Sequence, residues 1–203
     1  GHARGASHDT SRILRHSYNT PAYVRLTQEA YADWARLEHD AGTRLVTVVG
    51  IGGIGINAVQ GARIAGAKQI WAIDPVEFKR SKAQEFGATH TAASLEEALP
   101  AITEASWGRM ADKVIMTMGV GSGELIAAAL AITAKRGRVV VTNLHPAVEA
   151  SANISLLDLT LLEKQVVGAL FGSGNPRADI PKILELYHRG QVDLDGLVTK
   201  TYP

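Results

Sequence analysis

Hydrophobic and polar positions alternate in blocks along most of the chain. "TRLVTVVG" (43–50) is a near-continuous apolar run of strand length, and Ile54, Ala58, Val59, Ala62 and Ala65 then recur at helical spacing up to Gly66. "KQIWAID" (68–74) predicts the next strand, and a helix from Phe78 to Phe86 is closed by Gly87. "THTAA" predicts a short third strand. Ser94 and Glu97 have capping-box spacing and open a helix into Leu99. "DKVIMTMG" (112–119) and "GRVVVTN" (137–143) are apolar enough to suit strands covered on both faces, with a helix from about Gly123 to Ala134 between them. "KQVVGALFG" (164–172) predicts a sixth strand, and a helix follows from Pro181 to Arg189, stopping at Gly190. This alternation predicts an α/β fold, a doubly wound parallel sheet of about six strands.

The first 42 residues do not share that rhythm. Thr20 and Pro21 form an N-cap and N1 pair for one helix through Ala30, Trp34 and Leu37, ending at Gly42. The expected organisation is therefore an N-terminal arm over 1–42 and a Rossmann domain over 43–203.

Between the first strand and its helix stand four glycines in six residues, Gly50, Gly52, Gly53 and Gly55. The spacing G-x-G-x-x-G is a weak signal alone, but here it follows a strand and opens a helix, and Asp74 ends the next strand 19 residues after Gly55. Each glycine has a task in a dinucleotide cradle. Gly50 permits the tight turn, Gly52 lets backbone approach a pyrophosphate, and Gly55 allows close packing of helix on strand. Backbone angles closed to branched residues are a second expected reason for Gly52. The helix start directs its free N–H groups and positive dipole end at phosphate. Asp74 can accept hydrogen bonds from two ribose hydroxyls and repel a 2′-phosphate, so NAD is expected over NADP, with Lys79 and Arg80 nearby as the opposing charges.

Composition narrows the rest. Of the 203 residues 46% are apolar and 20% charged, with net charge +1, which suits a globular domain and offers no basic stripe for nucleic acid. No apolar run reaches the roughly 18 residues of a membrane span, and the polar start lacks the apolar segment of a signal peptide, so a cytoplasmic location is expected. The chain opens on glycine, as a processed or excised piece would. Cysteine is absent, which removes disulfides, thiolate catalysis and cysteine-held metal.

Residues 46–203, through "GIGGIGINAVQGARIAGAKQIWAIDPVEFKRSKAQEFGATHTA", "GRVVVTNLHPAVE" and "LLEKQVVGALFGSGNPRADIPKILELYHRGQVDLDGLVTKTYP", resemble the coenzyme domain of zinc-type medium-chain alcohol dehydrogenases, nearest the N,N-dimethyl-4-nitrosoaniline-dependent branch. The resemblance implies hydride transfer between an alcohol and nicotinamide. It places Asp74 and Lys79 at the adenosine ribose, Thr142 and Leu144 beside the nicotinamide, and Met118 at the border of the cleft. The family's zinc ligands belong to a separate catalytic domain, which this chain does not match. The chain alone is accordingly expected to bind cofactor, hold no metal and oxidise no alcohol, with no catalytic residue assigned.

A second resemblance covers the start. "SHDTSRILRHSYNTPAYVRLTQEAYADWARLEHDAGTRLVT" is similar to an early segment of monomeric sarcosine oxidase and related FAD-dependent amine oxidases, with His8, Arg12, Arg15 and Tyr18 at matching positions. Two parents meeting near "TRLVTVVG" imply a chimera or mis-joined fusion; one natural domain with a divergent arm is the alternative. The rival functions are an FAD-dependent amine oxidase fragment and a non-enzymatic nucleotide-binding Rossmann module.

No other motif competes. His8, His16, His90, His145 and His188 form no H-E-x-x-H cluster, Ser122 and Ser173 sit in no G-x-S-x-G elbow, and Trp34, Trp71 and Trp107 are too dispersed to stack bases. The expected partners are a dinucleotide and a small alcohol, without nucleic acid or membrane. A homo-oligomer is left open.

Overall fold

The computed structural model describes residues 45–148 and 151–200. The expected arm over 1–42, with its helix and the amine-oxidase-like positions His8, Arg12, Arg15 and Tyr18, lies outside the described residues.

Six parallel strands form one sheet: β1 (Leu45–Val49), β2 (Gln69–Ile73), β3 (His90–Ala92), β4 (Ala111–Met116), β5 (Thr133–Val141) and β6 (Gln165–Gly168), in the spatial order β3-β2-β1-β4-β5-β6. The order reverses beside β1, and in an open parallel sheet a reversal of this kind leaves a crevice at the carboxyl ends of the strands. β1 is buried over its whole length, which is why its run lacks the alternation of a half-exposed strand.

Two cores cover the two faces. On one, Val46, Val48, Ile70 and Ala72 meet α1 (Gly53–Ile64) through Ile56, Val59 and Ala62, and α2 (Glu77–Glu85) through Ala83. On the other, Leu45, Val49, Trp71, Val114, Met116 and Val139 meet α3 (Leu95–Ala105) and α4 (Gly123–Ala131). Even side-chain positions of β1 serve one core and odd ones the other, the two-residue period of a strand expressed in packing.

Several sequence signals act as their chemistry requires. Ser94 Oγ accepts from Glu97 N–H at 3.2 Å, and Glu97 reaches back to Ala93 N–H at 2.9 Å. Gly87 follows α2 with φ +113°, a conformation that favours glycine.

Some boundaries differ from expectation. The last helix, α6 (Pro176–His188), starts five residues before Pro181, because Asn175 caps it by accepting from Arg177 N–H at 3.2 Å and Pro176 takes the first helical position. Pro181, like Pro100 in α3, sits inside its helix and forfeits one backbone bond rather than ending it. β5 begins at Thr133 rather than 137, with a register shift against β4, and α4 therefore stops at Ala131 instead of 134. β6 is shorter than 164–172, since Leu170–Ser173 forms a turn with Phe171 at φ +48°. A short helix, α5 (Leu156–Leu161), capped by Ser155, precedes β6.

Candidate dinucleotide site

The turn after β1 is held by its neighbours on both sides. Gly50 has φ +89°, and its N–H donates to Ile73 C=O at 2.8 Å. A side chain there would meet Met118 backbone at 2.5 Å. At Gly55 a Cβ would come within 2.0 Å of the Gly50 carbonyl oxygen, so this glycine is what lets α1 lie against β1. Gly52 is different. A Cβ there meets nothing within 4 Å, and its φ of −97° with ψ −162° is extended backbone open to any residue. The expectation that Gly52 needs special angles is therefore wrong; only the open space before it calls for glycine. Gly53 begins α1 and a Cβ on it also meets no atom.

The first bond of α1 runs from Ile56 N–H to Gly52 C=O at 2.9 Å. The N–H groups of the preceding turn lie outside the helix's own ladder, at its positive end.

Asp74 follows β2 and is 4% exposed. Its Oδ2 accepts from Ile51 N–H at 2.8 Å and its Oδ1 from Val76 N–H at 2.9 Å, while Lys79 Nζ stands 3.4 Å from Oδ2. Arg80 turns its guanidinium onto the carbonyls of Asp74 and Pro75, at 2.8 and 2.9 Å. Both cations that could have offset the carboxylate are thus engaged locally, Lys79 by the acid itself and Arg80 by backbone.

In front of these groups lies a cavity of about 520 Å³. Gly50, Gly52, Asp74, Lys79 and Met118 line it, so five of the sequence-derived positions converge. Gly53 and Gly55 support the turn without forming its wall. Thr142 and Leu144 do not line it either: Thr142 Oγ1 donates to Met116 C=O at 2.8 Å, and Leu144, 74% exposed, is bridged to Val120 on the cavity rim. They stand one strand further along the same edge of the sheet.

Sequence reading passed over three groups of this wall. Thr117 lines it directly after β4, Leu95 and Leu125 give it an apolar side, and Glu96 brings a second carboxylate. The Ser94 hydroxyl holds the Glu96 carboxyl below the usual range, with a smaller contribution from backbone N–H. A lone polar residue ending an apolar strand was the available signal for Thr117.

Metal is a separate matter. Among the described residues no group of three or more histidines and carboxylates could hold an ion. His90 stacks on Trp71 across β2 and β3 at 4.4 Å, a packing role. The described donors do not come together as a zinc site. No described helix is long and apolar enough to cross a membrane.

Comparison with known proteins agrees with this fold. Residues 53–189 match the model of the zinc-binding dehydrogenase family. The chain belongs to that family. It is 47% identical over 172 residues to the NDMA-dependent alcohol dehydrogenase of Amycolatopsis methanolica, covering 83% of this chain and 46% of that protein. Alcohol dehydrogenase B of Mycobacterium tuberculosis (strain ATCC 25618 / H37Rv) is 45% identical over 157 residues, 77% of this chain and 42% of the relative. A crystal structure of an alcohol dehydrogenase zinc-binding domain protein from Burkholderia ambifaria superimposes with TM-score 0.71 at 28% identity, over 82% of this chain and 45% of that one.

The chain thus spans less than half the length of these relatives, and it corresponds to the coenzyme-binding domain of zinc-type alcohol dehydrogenases. The first match, at 83% of the chain, is longer than the stretch 46–203 and so reaches ahead of residue 46. The resemblance of the opening segment to amine oxidases, and with it a two-parent chain, gains nothing from these relatives.

Proposed function

We propose that the chain is the NAD(H)-holding part of an oxidoreductase that moves a hydride between an alcohol and a nicotinamide ring. The observation that carries this is the convergence of Gly50, Gly52, Asp74 and Lys79 on one cavity, with α1 starting directly after Gly52.

The residues fit the cofactor. Empty space in front of Gly52 admits a pyrophosphate, and the free N–H groups opening α1 supply its donors. Asp74 accepts from ribose hydroxyls, with Lys79 Nζ 3.4 Å from its Oδ2. Because Arg80 is spent on carbonyls, the rim offers a 2′-phosphate a carboxylate before it offers a free guanidinium, which favours NADH over NADPH. Met118, Val120, Leu95 and Leu125 give the cavity apolar walls. Thr142 and Leu144, at the end of β5, are proposed beside the nicotinamide. Bound there, the nicotinamide supplies the group that takes up or gives back the hydride.

Isothermal titration with NADH, NADPH and FAD tests this reading. One-site binding of NADH, weaker NADPH and no FAD is expected. Binding of FAD alone, or tighter NADPH than NADH, overturns it.

A further inference from the structure

The peptide unit joining Gly50 to Ile51 is hydrogen-bonded at both ends by side chains from two different neighbouring strands. Its N–H donates to Asp74 Oδ2 at 2.8 Å, from the end of β2. Its C=O accepts from Thr117 Oγ1 at 2.5 Å, from the end of β4. Thr117 is further seated by its own N–H, which donates to Val49 C=O at 2.8 Å, and its hydroxyl also lies 3.1 Å from that carbonyl. It is buried, and it sits under the start of α1, where a Cβ on Gly55 would come within 2.8 Å of its hydroxyl oxygen.

We infer that Thr117 is a positioning residue for the dinucleotide: its hydroxyl fixes the Gly50 carbonyl and thereby the plane of the peptide that leads into Gly52. A peptide is rigid, so holding its oxygen on one side and its hydrogen on the other leaves it no freedom to flip. The turn is then preset to face the pyrophosphate instead of being ordered at the moment of binding, which spares the entropy of ordering. This inference rests on the proposed dinucleotide function. Since NADH and NADPH share the pyrophosphate, loss of the hydroxyl weakens both by one factor, whereas a group that reads the ribose changes their ratio.

The test compares three variants of the 203-residue chain. Thr117→Val keeps the shape and removes the donor; Thr117→Ser keeps the donor. Thr47→Val is the control, because Thr47 lies buried within β1 and its hydroxyl has no hydrogen-bond partner among the described residues. A neutral hydrogen bond contributes about 0.5–1.5 kcal/mol, so Thr117→Val is expected to raise Kd for NADH and NADPH alike by roughly three- to tenfold. Thr117→Ser should stay within about twofold of wild type by the same measure, and Thr47→Val should leave both constants unchanged. Wild-type affinity in Thr117→Val, or a Ser variant as weak as the Val one, overturns the inference. Amide exchange of Ile51 in the cofactor-free wild type gives a readout independent of any variant's folding and of the cofactor reading. Slow exchange is expected of a clamped peptide, and exchange as fast as an open loop contradicts it. A wild type that binds neither dinucleotide would sink the functional reading while leaving the clamp to be judged by Ile51.

Discussion

Ile51 N–H and Asp74 Oδ2 are hydrogen-bonded at 2.8 Å, so the acid expected to read the cofactor's ribose also braces the turn that faces its phosphates. Asp74 therefore has two tasks, and a substitution there cannot remove one alone. Asp74→Gly deletes the charge and the brace together. NADH affinity is expected to fall by at least about tenfold, in the range of a hydrogen bond to a charged group. NADPH affinity should fall as well, by less, so that the preference narrows. Parallel titrations check this; unchanged NADH affinity would show that the carboxylate touches neither ribose nor loop function.

Gly52→Val separates binding from folding. Its backbone angles suit valine and a Cβ there meets nothing within 4 Å, so the melting temperature should stay close to wild type. Cofactor binding should nevertheless vanish, because the branched side chain occupies the pyrophosphate's place. A folded Gly52→Val chain with wild-type NADH affinity would contradict the assignment.

Gly53→Ala and Gly55→Ala should differ in sign. At Gly53 the methyl group enters open space in the first turn of α1, and reduced freedom of the unfolded chain is expected to stabilise by about 0.5 kcal/mol. At Gly55 it would collide with the Gly50 carbonyl, pushing α1 off the sheet at a cost of about 1–3 kcal/mol. Denaturant unfolding of both variants measures the contrast.

Gln60 joins the far end of the chain to α1. It is 2% exposed; its Oε1 accepts from Asp193 N–H at 2.8 Å and its Nε2 donates to Asp193 C=O at 3.1 Å. Gln60→Ala leaves both backbone groups without their partner, with an expected loss of about 1–3 kcal/mol and faster amide exchange at Asp193. NADH affinity should not change, since Gln60 is no part of the cavity wall.

The sheet was legible because burial on both faces writes itself as a near-continuous apolar run, as in β1, and the turn because glycine spacing, strand and acid stand in register. Three things were hidden. The start of α6 was displaced because Pro181 imitates a first-turn proline while the true one, Pro176, lies in a run of loop-like residues. α5 was not read and β6 was drawn too long because both bury little: all four β6 positions are exposed, and within α5 Leu159 alone packs against the core. Thr117 was missed because its meaning is tertiary: nothing in "VIMTMG" says that its hydroxyl will meet the carbonyl of a glycine 67 residues earlier.

The turn from Gly50 to Gly55, with Asp74, is the proposed seat of the dinucleotide. Backbone amide shifts recorded while NADH is added to the labelled chain test it most directly. The amides of Gly52, Gly53, Val76 and Gly119 should move together along one saturable curve, while those of α6 and of Tyr187 to Asp195 stay in place. Shifts confined to that second, distant region, or none at saturating NADH, would contradict the account.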